Sequence, residues 1–480
     1  MAAPPAETSA VRVGRAARPE RLDVRWTPVG DKSISQRALF LSGLATGRSV
    51  VEGLLWSEDT MHCMAALRQL GVGIGLDATG RAVVDGVGRH GLGPSSDAVY
   101  LGNSATSSRI MLALLAGQRH PYVVDGNPAL RRRPMGWIVE PLREMGARID
   151  WLGEPGGFPV AVAPAGGLAG RTLQVRVDSA QAVSALLFAG LVADGRTTIR
   201  RRVRARDHTE RLLRFFGVPV AETDAEVTVE PPPAITGRHV RVAGDVSASA
   251  LVIGATVLDE RLGLTVTVES VGLNDTRTGF LEVLRAMGAD LRVEVTGRVS
   301  GEPVGQVTVT SGRRLRGVRV EGSRLVQSAI DELPLLAAVA ATADGPTVVA
   351  DAAELKDKDT DRIATTAALL AAFGVRVETA DDGFTVHPPA PGALRSPGRV
   401  GAQGDHRVAF AAMALASRLD EPTVITGWEV VEVSFPDCLT PLGRLAGVEV
   451  LARAPGRLSP TPTLPTGGGS SPEGGSSTHA

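Results

Sequence analysis

Cysteine is scarce in this chain of 480 residues, which contains only Cys63 and Cys438. Neither lies in a CxxC pair or beside histidines at metal-ligand spacing, so the sequence argues against a disulfide framework and against a zinc site. Long apolar runs are also missing, because no stretch reaches the 18 uninterrupted apolar residues typical of a membrane-spanning helix. The first 20 residues lack the apolar core of a signal peptide. We therefore expect a cytoplasmic protein without a membrane partner.

A charge excess of either sign is absent as well, since the formal net charge is −1 at pH 7. Proteins that bind nucleic acid over a broad surface are usually basic, so this balance argues against such a partner. Lysine is the scarcer of the two basic residues. Lysine and arginine together number 51, and the only lysines are Lys32, Lys356 and Lys358. Any anion binding has to come from local clusters, and a lysine among arginines asks for an explanation.

Both ends of the chain have compositions that do not support a packed core. Residues 457–480 are rich in proline, glycine, serine and threonine, and residues 1–21 are rich in alanine, proline and arginine. Such segments bury too little apolar surface to offset the entropy lost on ordering. We expect two disordered tails on either side of a folded region.

A repeated pattern runs through the region between the tails. Six times, an apolar helical pattern ends at a glycine and continues into a short alternating strand, and the glycines are spaced 71 to 86 residues apart. These glycines are Gly71, Gly146, Gly217, Gly288, Gly374 and Gly447. A glycine there is typical of the left-handed residue that terminates a helix. Each segment also holds an upstream helix that is apolar nearly all round and therefore buried. The pattern predicts an α/β fold of six units, three in each of two domains.

The residues that open the six buried helices predict an anion-binding cleft. These stretches are "GDKSISQR", "GNSATSSR", "DSAQAVSA", "GDVSASA", "AIDELP" and "GDHRVAF". Capping of helix N-termini accounts for their serines and aspartates. It does not account for Lys32, Arg37, Arg109 and Arg407, because a cation near a helix N-terminus opposes the helix dipole unless an anion lies nearby. If these helix starts face one cleft, that cleft suits a phosphate or a carboxylate.

Three charged clusters leave alternative interpretations open. "LRRRPMG" places Arg131 to Arg133 before a proline-started helix, either as a solvated run or along the cleft. "ELKDKDTDR" alternates acids and bases around Lys358, which is typical of a solvated turn but also of a carboxylate held for proton transfer. In "AIDELPLLAAVAA", Asp331 and Glu332 precede a buried helix, either as caps or as a general acid and base.

The number and order of these motifs resemble the 5-enolpyruvylshikimate-3-phosphate synthase (EPSP synthase) family over residues ~22–452. The stretches that carry the resemblance are "GDKSISQRA", "GNSATSSR", "RRRPMGWIVEPLREMGA", "DSAQAVSALLFAGL", "RDHTERLLRFFGV", "GDVSASA", "GLNDTRTGFLEVLRAMGAD", "IDELPLLA", "KDTDR", "GDHRVAFAAMAL" and "SFPD". The resemblance implies a two-domain inside-out α/β barrel of six βαβαββ-type repeats, three per domain. It places one domain at residues 28–243 and the other at residues 22–27 plus 244–455.

The resemblance also implies a reaction. Members of this family transfer the enolpyruvyl group of phosphoenolpyruvate to the 5-hydroxyl group of shikimate 3-phosphate through a tetrahedral adduct, and they release phosphate without a metal or another cofactor. The expected partners are therefore these two small molecules, and the expected form is a monomer.

Carried over residue by residue, the resemblance implies three sets of site residues. The catalytic side chains would be Lys32 as a proton donor between the substrates, Asp331 as the base at the 5-hydroxyl group, and Asp359 as the second carboxylate. The acceptor would bind Lys32, Ser33, Arg37, Ser179, Gln181, Asp331 and Lys358. Phosphoenolpyruvate would bind Lys32, Ala105, Arg133, Gln181, Arg362 and Arg407.

Several positions depart from the family pattern. Asp359 stands where the family has glutamate, and Ala205 replaces a serine that contacts the acceptor phosphate. Val183 stands where many bacterial members have lysine, and Gln36 and Val433 are further departures. These residues motivate two alternatives: a paralogous enolpyruvyl transferase of specialised metabolism with a different hydroxyl acceptor, and a catalytically weak homologue with a binding or structural role.

Overall fold

The computed structural model describes residues 9–452 except residues 16, 18, 178, 432, 433, 437 and 444. The α-helices within that part are α1 (Lys32–Leu44), α2 (Glu58–Gln69), α3 (Ala105–Leu115), α4 (Pro128–Arg131), α5 (Gly136–Glu144), α6 (Ala180–Leu191), α7 (His208–Phe215), α8 (Val246–Leu258), α9 (Gly279–Met287), α10 (Ser323–Ala329), α11 (Leu333–Ala340), α12 (Arg362–Ala372), α13 (His406–Ala416) and α14 (Leu439–Leu442). Two 3₁₀ helices cover Ala353–Asp357 and Trp428–Val431. None of the described helices combines the length and the hydropathy needed to cross a membrane.

The β-strands are short and are distributed along the whole described chain. They are β1 (Ala10–Arg15), β2 (Leu22–Trp26), β3 (Thr46–Glu52), β4 (Gly73–Leu76), β5 (Ala82–Val87), β6 (Val99–Tyr100), β7 (Tyr122–Asp125), β8 (Arg148–Trp151), β9 (Val160–Ala163), β10 (Leu168–Ala169), β11 (Thr172–Gln174), β12 (Ala193–Asp194), β13 (Thr197–Arg200), β14 (Val220–Glu222), β15 (Glu226–Val229), β16 (His239–Arg241), β17 (Leu264–Gly272), β18 (Asp290–Val299), β19 (Glu302–Thr310), β20 (Arg319–Val320), β21 (Thr347–Val349), β22 (Arg376–Ala380), β23 (Gly383–His387), β24 (Arg399–Gly401), β25 (Thr423–Thr426) and β26 (Ala446–Ala452). The predicted tail at residues 457–480 lies outside the described residues.

The strands form six four-stranded sheets and one small sheet of β10 and β12 within the described residues. In the second unit the order is β6-β7-β9-β8, in which β6 and β7 are parallel and the hairpin of β8 and β9 adds to β7 in antiparallel fashion. The sheets β11-β13-β15-β14 and β20-β21-β23-β22 repeat this order. A parallel pair needs a crossover connection, and the buried helix of each unit supplies it. The prediction of an α/β fold built from six similar units is therefore confirmed.

The other three sheets each take one strand from a distant part of the chain. β16 pairs parallel with β3 and completes the first unit, and β2 pairs parallel with β17 and completes the fourth. β1 lies antiparallel between β25 and β26 and completes the sixth unit. The prediction that residues 1–21 form a disordered tail is wrong for β1 because Val11 and Val13 of this strand are buried in the core.

The buried apolar side chains form two clusters, one in each half of the molecule. The first contains α1, α3 and α6, and the second contains α8, α11 and α13 together with side chains of β1 and β2. The rings of Phe40 and Phe188, whose centroids are 6.0 Å apart, join α1 to α6. Full burial of one such ring contributes roughly 1.5–3 kcal/mol. We call the part from α1 to β16 (units 1–3) the first half, and the part from α8 to β26 together with β1 and β2 (units 4–6) the second half. The domain boundaries given above stay a prediction.

Five of the six glycines predicted to terminate helices have the expected left-handed backbone, with φ between 81° and 105°. They are Gly71, Gly146, Gly217, Gly288 and Gly374. The prediction is wrong for Gly447, which lies within β26 opposite Gly14 of β1. In the sixth unit the helix before this strand, α14, is short and ends at Leu442. The chain therefore reaches β26 without a terminating glycine at that position.

The chain crosses between the halves at two adjacent segments, just before α1 and just before α8. Gly30 and Gly244 form an antiparallel bridge at the crossing. Two backbone hydrogen bonds of 2.8 Å flank the bridge, with the N–H groups of Asp31 and Asp245 as donors. A Cβ atom on Gly30 would overlap the carbonyl oxygen of Gly53, so only glycine permits this close approach. The crossing places the first turns of α1 and α8 side by side.

Candidate active site

The first turns of the buried helices meet at one cavity of about 230 Å³ between the two halves. Its lining includes residues at the starts of α1, α3, α6, α8 and α13 and the residues just before α11. The prediction that these helix starts face one cleft is confirmed. The charged side chains of the lining are Lys32, Arg109, Arg133, Arg206, Arg277, Lys358, Arg362 and Arg407, with Asp59, Asp245, Asp331, Glu354, Asp357 and Asp359. Cations outnumber carboxylates, and the helix N-termini add positive potential, so the cavity suits anionic ligands.

Lys32 is the first residue of α1, and its side chain enters the cavity with 24% exposure. Asp31 caps the helix by accepting a hydrogen bond of 2.9 Å from the backbone N–H of Ile34. The Lys32 ammonium lies 3.4 Å from the carboxylate of Asp59 at the start of α2. Its backbone N–H donates to Asp245 at 3.1 Å. Because an ammonium has three donors, it can keep Asp59 as a neighbour and still bind ligand oxygens.

Asp331 lies between arginines from both halves of the molecule. Its carboxylate is 2.7 Å from Arg206 of the first half, 3.0 Å from Arg362 and 4.0 Å from Arg407. Burial alone would raise the pKa of Asp331, but the charges of Arg206, Arg407 and Lys358 outweigh it and hold the pKa well below its usual range. Asp331 is therefore ionised at neutral pH and can accept a proton. It would become a stronger base only if the neighbouring arginines and Lys358 interacted less strongly with it.

Asp359 follows Lys358 in the short segment between the 3₁₀ helix Ala353–Asp357 and α12. Its carboxylate pairs with Arg133 of the first half, and it lies 3.3 Å from His406 Nδ1 and 3.9 Å from Arg362 Nη2. Burial alone would raise the pKa of Asp359, but the hydrogen bond from His406 and the charge of Arg133 outweigh it and hold the pKa well below its usual range. Burial lowers the pKa of His406. Asp331 and Asp359 thus each join the two halves through an arginine.

Arg362 and Arg407 open the helices α12 and α13 and are both buried. Arg362 donates to Asp405 at 2.7 Å as well as to Asp331. Arg407 lies 3.3 Å from Glu332 and packs over the ring of Phe410. The two guanidinium groups therefore have fixed directions, which suits bidentate binding of a carboxylate or phosphate.

The remaining predicted side chains lie on both walls of the cavity. Ser33 lies in the first turn of α1, Ala105 opens α3, and Ser179 and Gln181 flank the start of α6. Lys358 of the second half forms an ion pair with Glu354. Every residue of the predicted site except Arg37 lines the cavity.

Arg37 is buried beside the cavity rather than in it. Its guanidinium donates to Thr209 and Ser184 at 2.7 Å each and to the Ser33 carbonyl oxygen at 2.9 Å. Burial lowers the pKa of Arg37 to about 10, so the group is still a cation at neutral pH. These N–H groups hold the first turn of α1 against α6 and α7. That Arg37 binds the acceptor stays a prediction.

The departures from the family pattern fall in different places. Ala205 lines the cavity, whereas Val183 is buried behind it. Gln36 is buried and donates to the hydroxyl of Ser104, the N-cap of α3, at 2.7 Å. Val433 lies outside the described residues. Among the departures in the described part of the chain, Ala205 and Asp359 line the cavity, whereas Val183 and Gln36 do not.

Several lining residues were not predicted from the sequence, including three charged groups with partners at the site. Arg206 pairs with Asp331, and Arg277 is 3.2 Å from Asp31 and 2.7 Å from Ser247 Oγ. Glu354 pairs with Lys358. Arg206 and Arg277 lie in the stretches "RDHTERLLRFFGV" and "GLNDTRTGFLEVLRAMGAD", so the motif match was the available signal for both, but no helix start marked them.

One group within the described part of the chain, Asp359, Asp405 and His406, has ligand atoms close enough together to hold a metal ion. Arg362 lies 2.7 Å from Asp405 and 3.9 Å from Asp359. A guanidinium therefore already balances these carboxylates, and the group is better described as part of the arginine–carboxylate network. We assign no metal to it.

Comparison with known proteins gives consistent matches over most of the chain. The model of the family described as EPSP synthase (3-phosphoshikimate 1-carboxyvinyltransferase) matches residues 17–442. The 3-phosphoshikimate 1-carboxyvinyltransferase of Pelotomaculum thermopropionicum is 42% identical over 408 residues, which cover 85% of this chain and 93% of that relative. The enzyme of the same name from a Synechococcus species is 42% identical over 427 residues, which cover 87% of this chain and 95% of the relative.

Solved structures agree with these matches. The EPSP synthase of Acinetobacter baumannii superposes with a TM-score of 0.82 and is 34% identical, covering 93% of this chain and 100% of that one. The enolpyruvyl transferase NikO from Streptomyces tendae superposes with a TM-score of 0.73 over 93% of this chain and 99% of its own. At 19% identity, the likeness to NikO shows the fold alone.

Proposed function

Because the chain belongs to the EPSP synthase family, we infer that it transfers the enolpyruvyl group of phosphoenolpyruvate to the 5-hydroxyl group of shikimate 3-phosphate and releases phosphate. This reaction belongs to the shikimate pathway of aromatic amino acid biosynthesis. The observation that carries the inference is the positive cavity in which Lys32 and several arginines face the ionised carboxylates of Asp331 and Asp359. Two anionic substrates need such cations, and a proton that is first delivered and then removed needs an acid and a base.

On the phosphoenolpyruvate side, we propose that Arg133, Arg362 and Arg407 bind the carboxylate and the phosphate. Arg133 and Arg362 now pair with Asp359 and Asp331, so the substrate would share these guanidinium groups with both carboxylates. Sharing weakens the hold of each arginine on its carboxylate, and the pKa of the carboxylate rises as a result. Substrate binding would in this way make Asp331 a better base at the moment when a base is needed.

On the acceptor side, we propose that Ser33, Ser179 and Lys358 bind shikimate 3-phosphate, with Gln181 between the two substrates. Arg206 joins this set because it lines the cavity next to Ala205, the position at which a phosphate-contacting hydroxyl is missing. A guanidinium donates more hydrogen bonds than a hydroxyl, so Arg206 can supply the contact that Ala205 cannot.

The proposed steps include three proton transfers. The acceptor oxygen forms a bond to C2 of phosphoenolpyruvate while Asp331 takes the hydroxyl proton and Lys32 gives a proton to the methylene carbon, which becomes a methyl group. The tetrahedral adduct then loses phosphate from C2 and a proton from the methyl group, which restores the double bond. We propose Asp359 as the acceptor of the methyl proton. The proton that Asp331 took from the hydroxyl group leaves with the phosphate, and the proton on Asp359 returns to Lys32, which restores all three side chains. Lysine suits the first transfer because its ammonium can lose a proton, whereas a guanidinium cannot.

The alternative of a different hydroxyl acceptor is not favoured by the relatives, which are named 3-phosphoshikimate 1-carboxyvinyltransferase. One assay separates the two: phosphate release from phosphoenolpyruvate with shikimate 3-phosphate, with unphosphorylated shikimate and without acceptor. We expect rapid phosphate release only in the assay that contains shikimate 3-phosphate as the acceptor. Absence of release with that acceptor would contradict the proposed function, and faster release with another alcohol would support the alternative.

We further propose that the enzyme acts in the cytoplasm as a monomer, with its two substrates as its partners and with neither nucleic acid nor membrane. The balanced net charge supports the absence of a nucleic-acid partner. Light scattering should give the 49.9 kDa mass of one chain, and a doubled mass would contradict the monomer.

A further inference from the structure

Arg109 is a buried cation for which the proposed chemistry has no use. It lies within α3 with 6% exposure, and no carboxylate among the described residues lies within 4 Å of its guanidinium. Burial and the nearby charge of Arg133 lower the pKa of Arg109 to about 9. The more distant charge of Glu354 offsets this only in part. A buried cation without a directly paired carboxylate is unfavourable, so a residue that served packing alone would be better replaced by an apolar one.

Three contacts hold the guanidinium of Arg109 in place. Nη1 donates to Oε1 of Gln181, and Nη2 donates to the carbonyl oxygen of Pro134 at 3.3 Å. Cζ lies 4.4 Å from the ring centroid of Trp137. The contacts come from α6, from the segment after Arg133 and from α5, so a single side chain connects three parts of the first-half wall. Stacking on the indole restricts the guanidinium to one plane.

The contact with Gln181 fixes the direction of its side-chain amide. An arginine has only N–H donors, so the group that faces Arg109 must be the amide oxygen. The NH₂ group of Gln181 then points away from Arg109, and no acceptor in the described part of the chain is hydrogen-bonded to it. Because Gln181 lines the cavity, this amide offers its N–H donors to ligand oxygens.

We propose that Arg109 and Trp137 are positioning residues for phosphoenolpyruvate. Trp137 holds Arg109 by stacking, and Arg109 holds both the amide of Gln181 and the backbone next to Arg133. Neither residue has to touch the substrate in this arrangement. The inference rests on the proposed function because it concerns the same cavity and the same substrate.

The test compares Trp137→Leu, which removes the aromatic face, with Trp137→Phe, which keeps it. We expect Trp137→Leu to raise the KM for phosphoenolpyruvate about tenfold, the scale of one lost hydrogen bond to a charged group, with kcat within about twofold of wild type. Trp137→Phe should raise the same KM less than about threefold. An unchanged KM in Trp137→Leu overturns the proposal, as does a loss confined to kcat and thermal stability.

A second comparison asks whether the pair acts through Gln181. Introduced into Gln181→Ala, Trp137→Leu should change KM less than about threefold, because the amide to be positioned is gone. A further tenfold rise in that background overturns the positioning role. If Trp137→Leu does not fold, Arg109→Lys replaces it in both comparisons with the same expected values, since lysine keeps the charge but lacks the planar fork that holds two acceptors.

Wild-type turnover separates this inference from the proposed function. If the wild-type enzyme is active with shikimate 3-phosphate and Trp137→Leu has an unchanged KM for phosphoenolpyruvate, the inference is overturned but the proposed function is not. A wild-type enzyme that releases no phosphate contradicts the proposed function. In that case, phosphoenolpyruvate binding is titrated by calorimetry, where a tenfold weaker affinity in Trp137→Leu supports the inference and an equal affinity overturns it.

Discussion

The two segments at which the chain crosses between its halves are built alike and used differently. Each consists of a glycine, an aspartate and the first residue of a buried helix: Gly30, Asp31 and Lys32 in one, Gly244, Asp245 and Val246 in the other. The glycines bridge to each other, both aspartate N–H groups donate across the crossing, and both carboxylates cap their own helices. The backbone device is therefore the same in both halves.

The difference lies in the side chains. Lys32 enters the cavity, whereas Val246 is buried in the apolar core of the second half. Asp31 has an ion-pair partner in Arg277, whereas Asp245 accepts backbone N–H groups and lines the cavity. The comparison teaches that the crossing itself is structural and that the chemistry was added to one of its two copies.

The largest effect is expected at Lys32. Lys32→Arg keeps the charge but removes a usable proton donor, so we expect substrate KM values within about threefold and a kcat lower by about two to three orders of magnitude, the scale of a general acid. Steady-state rates of phosphate release measure both. The matched change at the other crossing, Val246→Ile, should leave kcat within about twofold. Near-native turnover in Lys32→Arg would remove the functional difference between the crossings.

The next effect concerns the two capping aspartates. Asp31→Asn leaves the buried guanidinium of Arg277 without its ion pair and should cost about 3 kcal/mol at pH 7, whereas Asp245→Asn should cost less than about 1 kcal/mol. Denaturant unfolding of both variants and of the wild type gives the difference. Equal losses would show that the two carboxylates are equivalent.

The pH dependence of these two variants should have opposite signs. Burial would raise the pKa of Asp31, but Arg277 outweighs it and lowers the pKa, so the ionised group stabilises the fold above its unfolded pKa near 3.8. The penalty of Asp31→Asn should therefore shrink as the pH falls toward 3.8 and below. Burial and the charge of Asp31 raise the pKa of Asp245, which stabilises the fold only while protonated. The free energy of unfolding of Asp245→Asn should therefore increase relative to that of the wild type as the pH rises from 4 to 7.

The smallest effect tests the close approach of the backbones. Gly30→Ala would press a methyl group against the Gly53 carbonyl oxygen and should cost about 2 kcal/mol, or about 5 °C of melting temperature. Gly75→Ala, with open space around the added Cβ, is the matched control and should change the melting temperature by less than about 2 °C. Equal melting temperatures for the two variants would mean that the crossing tolerates a wider separation.

The sequence predicted the repeated units, but it predicted less well which distant strands complete their sheets. The six-fold pattern of helix-terminating glycines is local, so a single pass along the chain finds it. β1 was missed because its partners in β25 and β26 lie more than 400 residues away, and the four residues "VRVG" between Ala10 and Arg15 give no sign of them. Gly447 was misassigned for the related reason that it lies within β26, a strand that pairs with β1 rather than with a hairpin partner of its own unit.

The site was predictable where the helix starts marked it. Arg37 lies outside the cavity lining because a residue five positions after Lys32 in an α-helix lies about 140° around the axis, which turns its side chain toward Thr209 and Ser184. Its predicted role at the acceptor stays a prediction. Arg206 is one of several arginines in "RRVRARDHTE", and spacing does not distinguish the one that reaches Asp331 from those that pair elsewhere. Such choices depend on tertiary packing.

The strand β1 also fixes an order of events during synthesis of the chain. Among the described strands it is made before all the others, whereas its partners β25 and β26 begin at Thr423 and Ala446 and are made after all the others. The first half closes its own first sheet with β16 and can fold as soon as His239–Arg241 is available. Throughout that time β1 has no sheet to join, and an unpaired strand edge is prone to wrong pairings. β1 must therefore stay without its sheet until β25 and β26 have been made.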